Sequence, residues 1–339
     1  MSHYHESSMF DPEFGDPWHL EETGDTCKPI TDEARSNWNE ALKLAGLDWT
    51  KKHVPTYFKL DDGELIESPD TLAVIRETDN RFLGSVGKGT KEVQNSDALK
   101  WFDPFLQSGM AKFDTAGSLK GGKVVWAQAV ILGNDGSDIV SVKGDEISKR
   151  ITLAFGHDNL MGVNMGFSPT RIVCWNTLAM MLGNEESSLL KIKKTTNVLT
   201  NMDDAREIMN LANAEFEANA EQWRFLASTP FNDDNLDVYV RTVLDLPVDK
   251  ESFDNLSTRT KNVVETIRGY ASAPDDMKPE LRGSYWAAYQ GVTRYLTHDA
   301  GRSGSNRMAS LWFGNNKSVN ARALFVAMQM AKGKDVSDV

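Results

Sequence analysis

Cysteine is nearly absent. Cys27 and Cys174 are the only two in 339 residues, far apart in the chain and in different expected settings, so a disulfide framework is excluded and a reducing host cytoplasm is the expected compartment. No run of about 18 apolar residues occurs, which excludes a membrane-spanning helix. The N-terminus, MSHYHESSMFDPEFGDPWH, lacks the basic, apolar, small-residue order of a signal peptide. The six histidines show no signature spacing, so no nucleophilic triad is indicated. His3 and His5 form a pair without further ligands nearby. No metal, cofactor or catalytic residue is assigned, and a non-enzymatic protein is expected. Internal repeats and low-complexity tracts are also missing.

What is present is unevenly distributed charge. The net charge of −12 argues against wholesale coating of nucleic acid. Residues 1–70 and 201–280 are strongly acidic, whereas 71–200 and 281–339 are net basic, and 300–334 hold six Lys/Arg and no carboxylate. A basic face on an otherwise acidic molecule is the expectation.

Hydrophobic periodicity sorts the chain into a strand-rich first half and a helical second half. Thr31-Asp32-Glu33 opens a helix through Leu44 that Gly46 ends. His53–Lys59 and Glu64–Glu67 pair across Asp61-Asp62-Gly63, and Leu72–Glu77 pairs with Phe82–Val86. Ser96 caps a helix to about Gln107. Ala111–Leu119 pairs with Lys123–Leu132 across Lys120-Gly121-Gly122, and the near-continuous apolar run VVWAQAVIL reads as a central strand covered on both faces. Asp138–Lys143 and Ile147–His157 follow, the latter with Lys149 and Arg150 toward solvent, then Gly162–Phe167. Residues 168–182, SPTRIVCWNTLAMML, read as a buried strand turning into an apolar helix. Helices are expected over 203–228, 235–244, 258–270, 284–296 and 318–331. The fold class is α+β: an antiparallel sheet centred on about 111–175 followed by a mainly helical half. The expected organisation is an acidic extension with a first hairpin over 1–70, a β-rich core over 71–184, and a helical region over 185–334 that ends in a basic segment, 282–334.

Gly117-Ser-Leu-Lys-Gly-Gly122-Lys123 spells the start of a phosphate-binding loop. Val124 stands where a hydroxyl should ligate Mg²⁺, and a strand follows instead of a helix, so the stretch reads as a hairpin turn. Gly314-Asn-Asn-Lys317 precedes a helix and reads as a cap, with free N–H groups and a lysine as the alternative anion site. The functional pattern with most content is a set of cations beside aromatic rings. Phosphates call for Lys/Arg and unpaired bases for flat π faces. On that reading Lys149, Arg150, Arg171, Lys191, Lys193, Lys194, Arg302, Arg307, Lys317 and Arg322 contact phosphate, while Tyr285, Tyr289, Trp312 and Phe313 stack bases.

Several stretches together resemble the phage- and plasmid-encoded family called domain of unknown function 932. They include Glu40-Ala-Leu-Lys-Leu-Ala-Gly-Leu-Asp-Trp49, Leu83-Gly-Ser-Val-Gly87, Thr115-Ala-Gly-Ser-Leu119, Gly122-Lys-Val-Val-Trp126, Arg171-Ile-Val-Cys-Trp-Asn-Thr-Leu178, Tyr285-Trp-Ala-Ala-Tyr-Gln-Gly-Val-Thr-Arg-Tyr-Leu-Thr-His298 and Leu311-Trp-Phe-Gly314. The resemblance implies a mobile-element origin and carries no catalytic residue. The expectation is a single-stranded DNA-binding or annealing-type recombination accessory protein, with a homo-oligomer as the expected assembly. The alternative is a host-factor inhibitor whose acidic surfaces imitate nucleic acid.

Overall fold

The structure, a computed structural model, describes residues 8–12, 27–133, 137–157, 164–167, 169–171, 202–272, 277–301, 306–307, 310–311 and 314–334. Strands come first and helices afterwards, and the α+β class holds. The chain divides into two compact units that interleave in sequence: residues 1–135, 151–166 and 189–209 form one, and 136–150, 167–188 and 210–339 form the other.

The first unit holds two sheets. One has six strands in the order β11-β10-β7-β6-β1-β2: β1 is Ser8–Phe10, β2 Cys27–Pro29, β6 Ala111–Leu119, β7 Val124–Ile131, β10 Arg150–Gly156 and β11 Asn164–Phe167. The β6–β7 hairpin lies at its centre, with Leu119 opposite Val124 and Ala111 opposite Ile131. Every residue of β7 is buried, as its unbroken apolar character requires. Its one polar residue, Gln128, donates to Thr152 Oγ1 at 2.7 Å. Two short helices, α1 (Asp32–Ser36) and α2 (Trp38–Leu44), replace the single expected helix. The break falls at Asn37, whose side chain caps α2 by accepting from the Asn39 N–H at 2.9 Å. Likewise α3 (Asn95–Lys100) and α4 (Asp103–Gln107) divide the expected 96–107 helix, with Pro104 in the first turn of α4.

The other sheet of this unit has the order β3-β4-β5: Lys51–Lys59, Leu65–Arg76 and Arg81–Gly87. The two hairpins read from sequence share one twelve-residue middle strand, so the boundary expected near residue 70 falls inside β4. Its register shifts between Pro55 and Tyr57, where Ser68-Pro69-Asp70-Thr71 stand opposite Thr56 alone and the strand absorbs the excess without ending.

The second unit holds a small sheet, β12-β9-β8 (Thr170–Arg171, Asp145–Ser148, Ile139–Val142), and most of the helices. These are α5 (Met202–Ser228, from residue 210 onward), α6 (Asp233–Val243), α7 (Lys250–Asp254), α8 (Thr258–Ser272), α9 (Tyr285–Arg294) and α10 (Asn315–Ala331). Helix α9 is its hub: nine of its ten residues are buried. The Trp286 indole N–H donates to Asp145 at 2.8 Å, tying α9 to β9. Tyr289 donates to Asn320 of α10 at 3.2 Å, and Tyr239 of α6 donates to the Ala323 carbonyl at 3.0 Å.

Small residues let α8 and α9 approach closely. A Cβ on Gly291 would stand 2.8 Å from the Ile267 carbonyl oxygen and 2.9 Å from the Ala271 nitrogen, both backbone atoms that no rotamer change can move. Gly291→Ala is therefore expected to destabilise by about 1–3 kcal/mol through overpacking. Thermal unfolding followed by circular dichroism checks this, and an unchanged midpoint would show that the two helices separate at little cost.

Candidate nucleic-acid interface

The cations and rings read from sequence do not assemble into a trough among the described residues. Lys149 and Arg150 are both buried rather than turned to solvent. The expected strand Ile147–His157 breaks there, so that its two parts enter different sheets as β9 and β10. The Lys149 ammonium donates to Asn213 Oδ1 at 3.2 Å. Tyr285 and Tyr289 are also buried, in the α9 hub, and cannot offer a face to a base. Arg307 is half-buried, while Lys317 and Arg322 lie on the exposed side of α10. Lys191, Lys193, Lys194, Arg302, Trp312, Phe313, the side chain of Arg171 and most of the 168–182 stretch lie outside the described residues. At Gly314 the cap reading fits: the Ser310 hydroxyl accepts from the Asn316 N–H at 3.1 Å, using one of the donors an anion would need.

The first unit gathers a different set, one that depends on strand register. Lys51, Arg76 and Arg81 stand directly opposite one another on β3, β4 and β5. Three like charges in a row across a sheet are destabilising on their own, so what surrounds them matters. Asp79 takes the central cation: its carboxylate accepts from Arg76 Nε at 2.9 Å and from the Arg81 backbone N–H at 3.1 Å. The Arg76 hydrogen bond holds that carboxyl down to about 2. Arg76 also lies over the Trp49 ring, 5.3 Å from its centroid.

Lys51 has no ion pair among the described residues. Its ammonium lies 2.8 Å from His157 Nδ1, and His157 Nε2 lies 3.1 Å from Asn95 Oδ1. The Asn95 amide then donates to the Leu47 carbonyl at 2.9 Å. These contacts form a consistent line of donors only if His157 is neutral with its proton on Nε2. Burial, with Lys51 and then His53 adding to it, holds His157 down to about 3. Burial also lowers Lys51 to about 8. The Gln94 side chain fixes the Lys51 backbone from both sides, accepting from its N–H at 3.1 Å and donating to its carbonyl at 2.9 Å.

On this charged row sits the β6–β7 turn. Lys120, Gly121 and Gly122 all have positive φ, at 54°, 69° and 87°, so the phosphate-loop spelling is a hairpin turn as expected. Its glycines serve close approach as well as conformation. A Cβ on Gly121 would come within 2.5 Å of the Arg81 guanidinium, and one on Gly122 within 3.3 Å of both Arg76 and Trp49.

The outer layer of the cluster is accessible. Lys120 is exposed, and Arg81 and Lys123 are half-buried. Lys120 and Lys123 have no carboxylate partner among the described residues. Phe82 is 51% exposed, on edge strand β5 and in register with Ile75 and Lys52, and the Lys123 ammonium reaches to 6.0 Å from its ring centroid. An open aromatic ring thus has the Lys123 ammonium beside it, and the turn that carries Lys123 also carries the exposed Lys120.

Residues 82–312 match the family described as Domain of unknown function (DUF932). The chain belongs to that family. The match opens at Phe82 and takes in the β6–β7 turn, so most of the outer cluster lies within it; Lys51 and Arg76 lie before it. No curated protein and no solved structure matches the chain. Among the described residues no helix is long and apolar enough to cross a membrane, and no group of three or more His, Cys, Asp or Glu is placed to hold a metal ion.

Sequence reasoning missed this cluster, since Lys51, Arg76 and Arg81 are separated by two loops. The available signal was the Gly121-Gly122-Lys123 run, in which two glycines imply a tight approach to something bulky.

Proposed function

We propose that this DUF932 protein binds single-stranded nucleic acid through the face formed by Arg81, Phe82, Lys120 and Lys123, as a DNA-binding or annealing-type accessory protein without a catalytic step. The observation that carries the reading is an exposed ring with Lys123 beside it, next to a turn whose lysines, Lys120 and Lys123, have no carboxylate partner among the described residues and whose glycines are fitted to the arginines beneath. Phosphates would meet the cations, and a base would stack on Phe82, an arrangement tolerant of sequence because every base has a π face. The buried Lys51 adds positive potential from below, where screening by salt is weaker.

Fluorescence anisotropy with labelled oligo(dT) tests it. Three phosphate contacts imply a slope of log K against log salt of about −2, since each contributes roughly −0.7 on a single strand. Affinity should then fall roughly twentyfold over a fourfold rise in salt. Absence of binding at micromolar protein, or binding indifferent to salt, would end the proposal.

A further inference from the structure

The tip of the β3–β4 hairpin has a composition that the nucleic-acid reading does not use. Strand β5 pairs with β4 only from Thr71 to Arg76, so beyond it Tyr57, Phe58 and Lys59 pair with Glu67, Ile66 and Leu65 as a two-stranded ribbon. Tyr57, Phe58, Leu60, Leu65 and Ile66 on this ribbon are between 39% and 63% exposed. Two-stranded ribbons are marginal in water, and this one places apolar side chains where nothing covers them among the described residues. By register Phe58 and Ile66 share one face of the ribbon while Tyr57 and Leu65 are on the other, so both faces carry exposed apolar side chains, the kind of surface that serves a partner.

Charge selects the partner. Asp61, Asp62, Glu64 and Glu67 surround the patch, against Lys59 alone within the ribbon; Lys88 reaches Glu67 at 3.2 Å. The ribbon therefore repels nucleic acid, anionic lipid and another copy of itself. The complementary surface lies on α10. Ser318, Arg322, Phe325 and Lys332 fall on one helical stripe, with Lys317 beside it. Phe325 is 42% exposed, Lys317, Arg322 and Lys332 are exposed too, and residues 300–334 contain no carboxylate.

We propose that the acidic, apolar ribbon of one copy docks on the basic α10 face of a second copy, with Phe325 among the ribbon side chains. The contact is head-to-tail, so assembly continues past a dimer unless it closes into a ring. This does not rest on the nucleic-acid reading, and its test contains no nucleic acid.

Sedimentation velocity of the full chain over a concentration series is the experiment, with circular dichroism as the check on folding. The sedimentation coefficient should rise with concentration and fall with added salt. Asp61→Lys with Glu64→Lys should weaken assembly at least tenfold, and so should Arg322→Glu with Lys332→Glu. An equimolar mixture of the two double variants should assemble again, because each then meets an opposite charge. All these substitutions are on exposed side chains and should leave the fold intact. Three results would overturn the proposal: a wild-type chain monomeric at every concentration, assembly indifferent to either reversal, or a mixture that stays monomeric.

Discussion

Lys120→Asn combined with Lys123→Gln is expected to weaken oligo(dT) binding roughly fiftyfold at about 50 mM salt and to flatten the salt slope from about −2 to about −0.7. The reasoning is that each lysine neutralises one phosphate and releases its counterions, leaving Arg81 as the remaining contact of the outer layer. Asparagine suits position 120, whose φ of 54° lies in a region Asn tolerates well. Phe82→Ala should act differently. It removes a stacking surface worth about 1–3 kcal/mol, a loss of about fivefold to a hundredfold in affinity, and leaves the slope unchanged. The two variants thus separate charge from stacking in one titration. Equal changes in slope would show that Phe82 acts only by holding Lys123 in place.

Between about pH 6.5 and pH 4, wild-type stability should fall by about 2–3 kcal/mol, and His157→Gln should abolish most of that fall. A histidine that is buried neutral has a folded value below its unfolded one. The unfolded chain therefore takes up the proton first, near 6.5, while the folded chain resists until about 3. The stability contributed is fully present above 6.5 and is lost as pH drops through this window. Glutamine keeps both hydrogen bonds, accepting from Lys51 and donating to Asn95, but carries no titrating group. Asp79, held to about 2, loses its contribution only as pH drops from its unfolded value toward 2, which leaves the upper window to the histidine. Urea unfolding at a series of pH values measures both chains. Parallel curves would mean that the fold does not hold His157 neutral below its unfolded value, and that the Lys51–His157–Asn95 line is oriented otherwise.

The sequence was legible where a pattern is local. The hairpin through Lys120-Gly121-Gly122, the long helix to Ser228 and the capped helix after Ser284 all follow from periodicity and end signals within one segment. Register is another matter. Nothing in the order of residues says that Lys51, Arg76 and Arg81 meet, because loop length and the irregularities at Thr56 and Leu83 decide it. The aromatic residues of α9 were misread for a more instructive reason. In Tyr285-Trp-Ala-Ala-Tyr-Gln-Gly-Val292 the residues between the rings are mostly small or apolar. A helix with apolar character on every side is a buried one, so these rings belong to the hub rather than the surface. Phe82 carried the opposite signal: it lies on an edge strand and follows a cation, Arg81.

Photocrosslinking of a bromodeoxyuridine-substituted oligo(dT), followed by mass spectrometry of the digested complex, most directly tests whether the Gly121–Gly122 turn and its flanking side chains form the binding face. Adducts should concentrate on Phe82 and on the peptide spanning 117–123, and should disappear in Phe82→Ala while the peptide itself is still recovered. Adducts confined to α10 or to other segments, with Phe82 and the turn unmodified, would contradict the account.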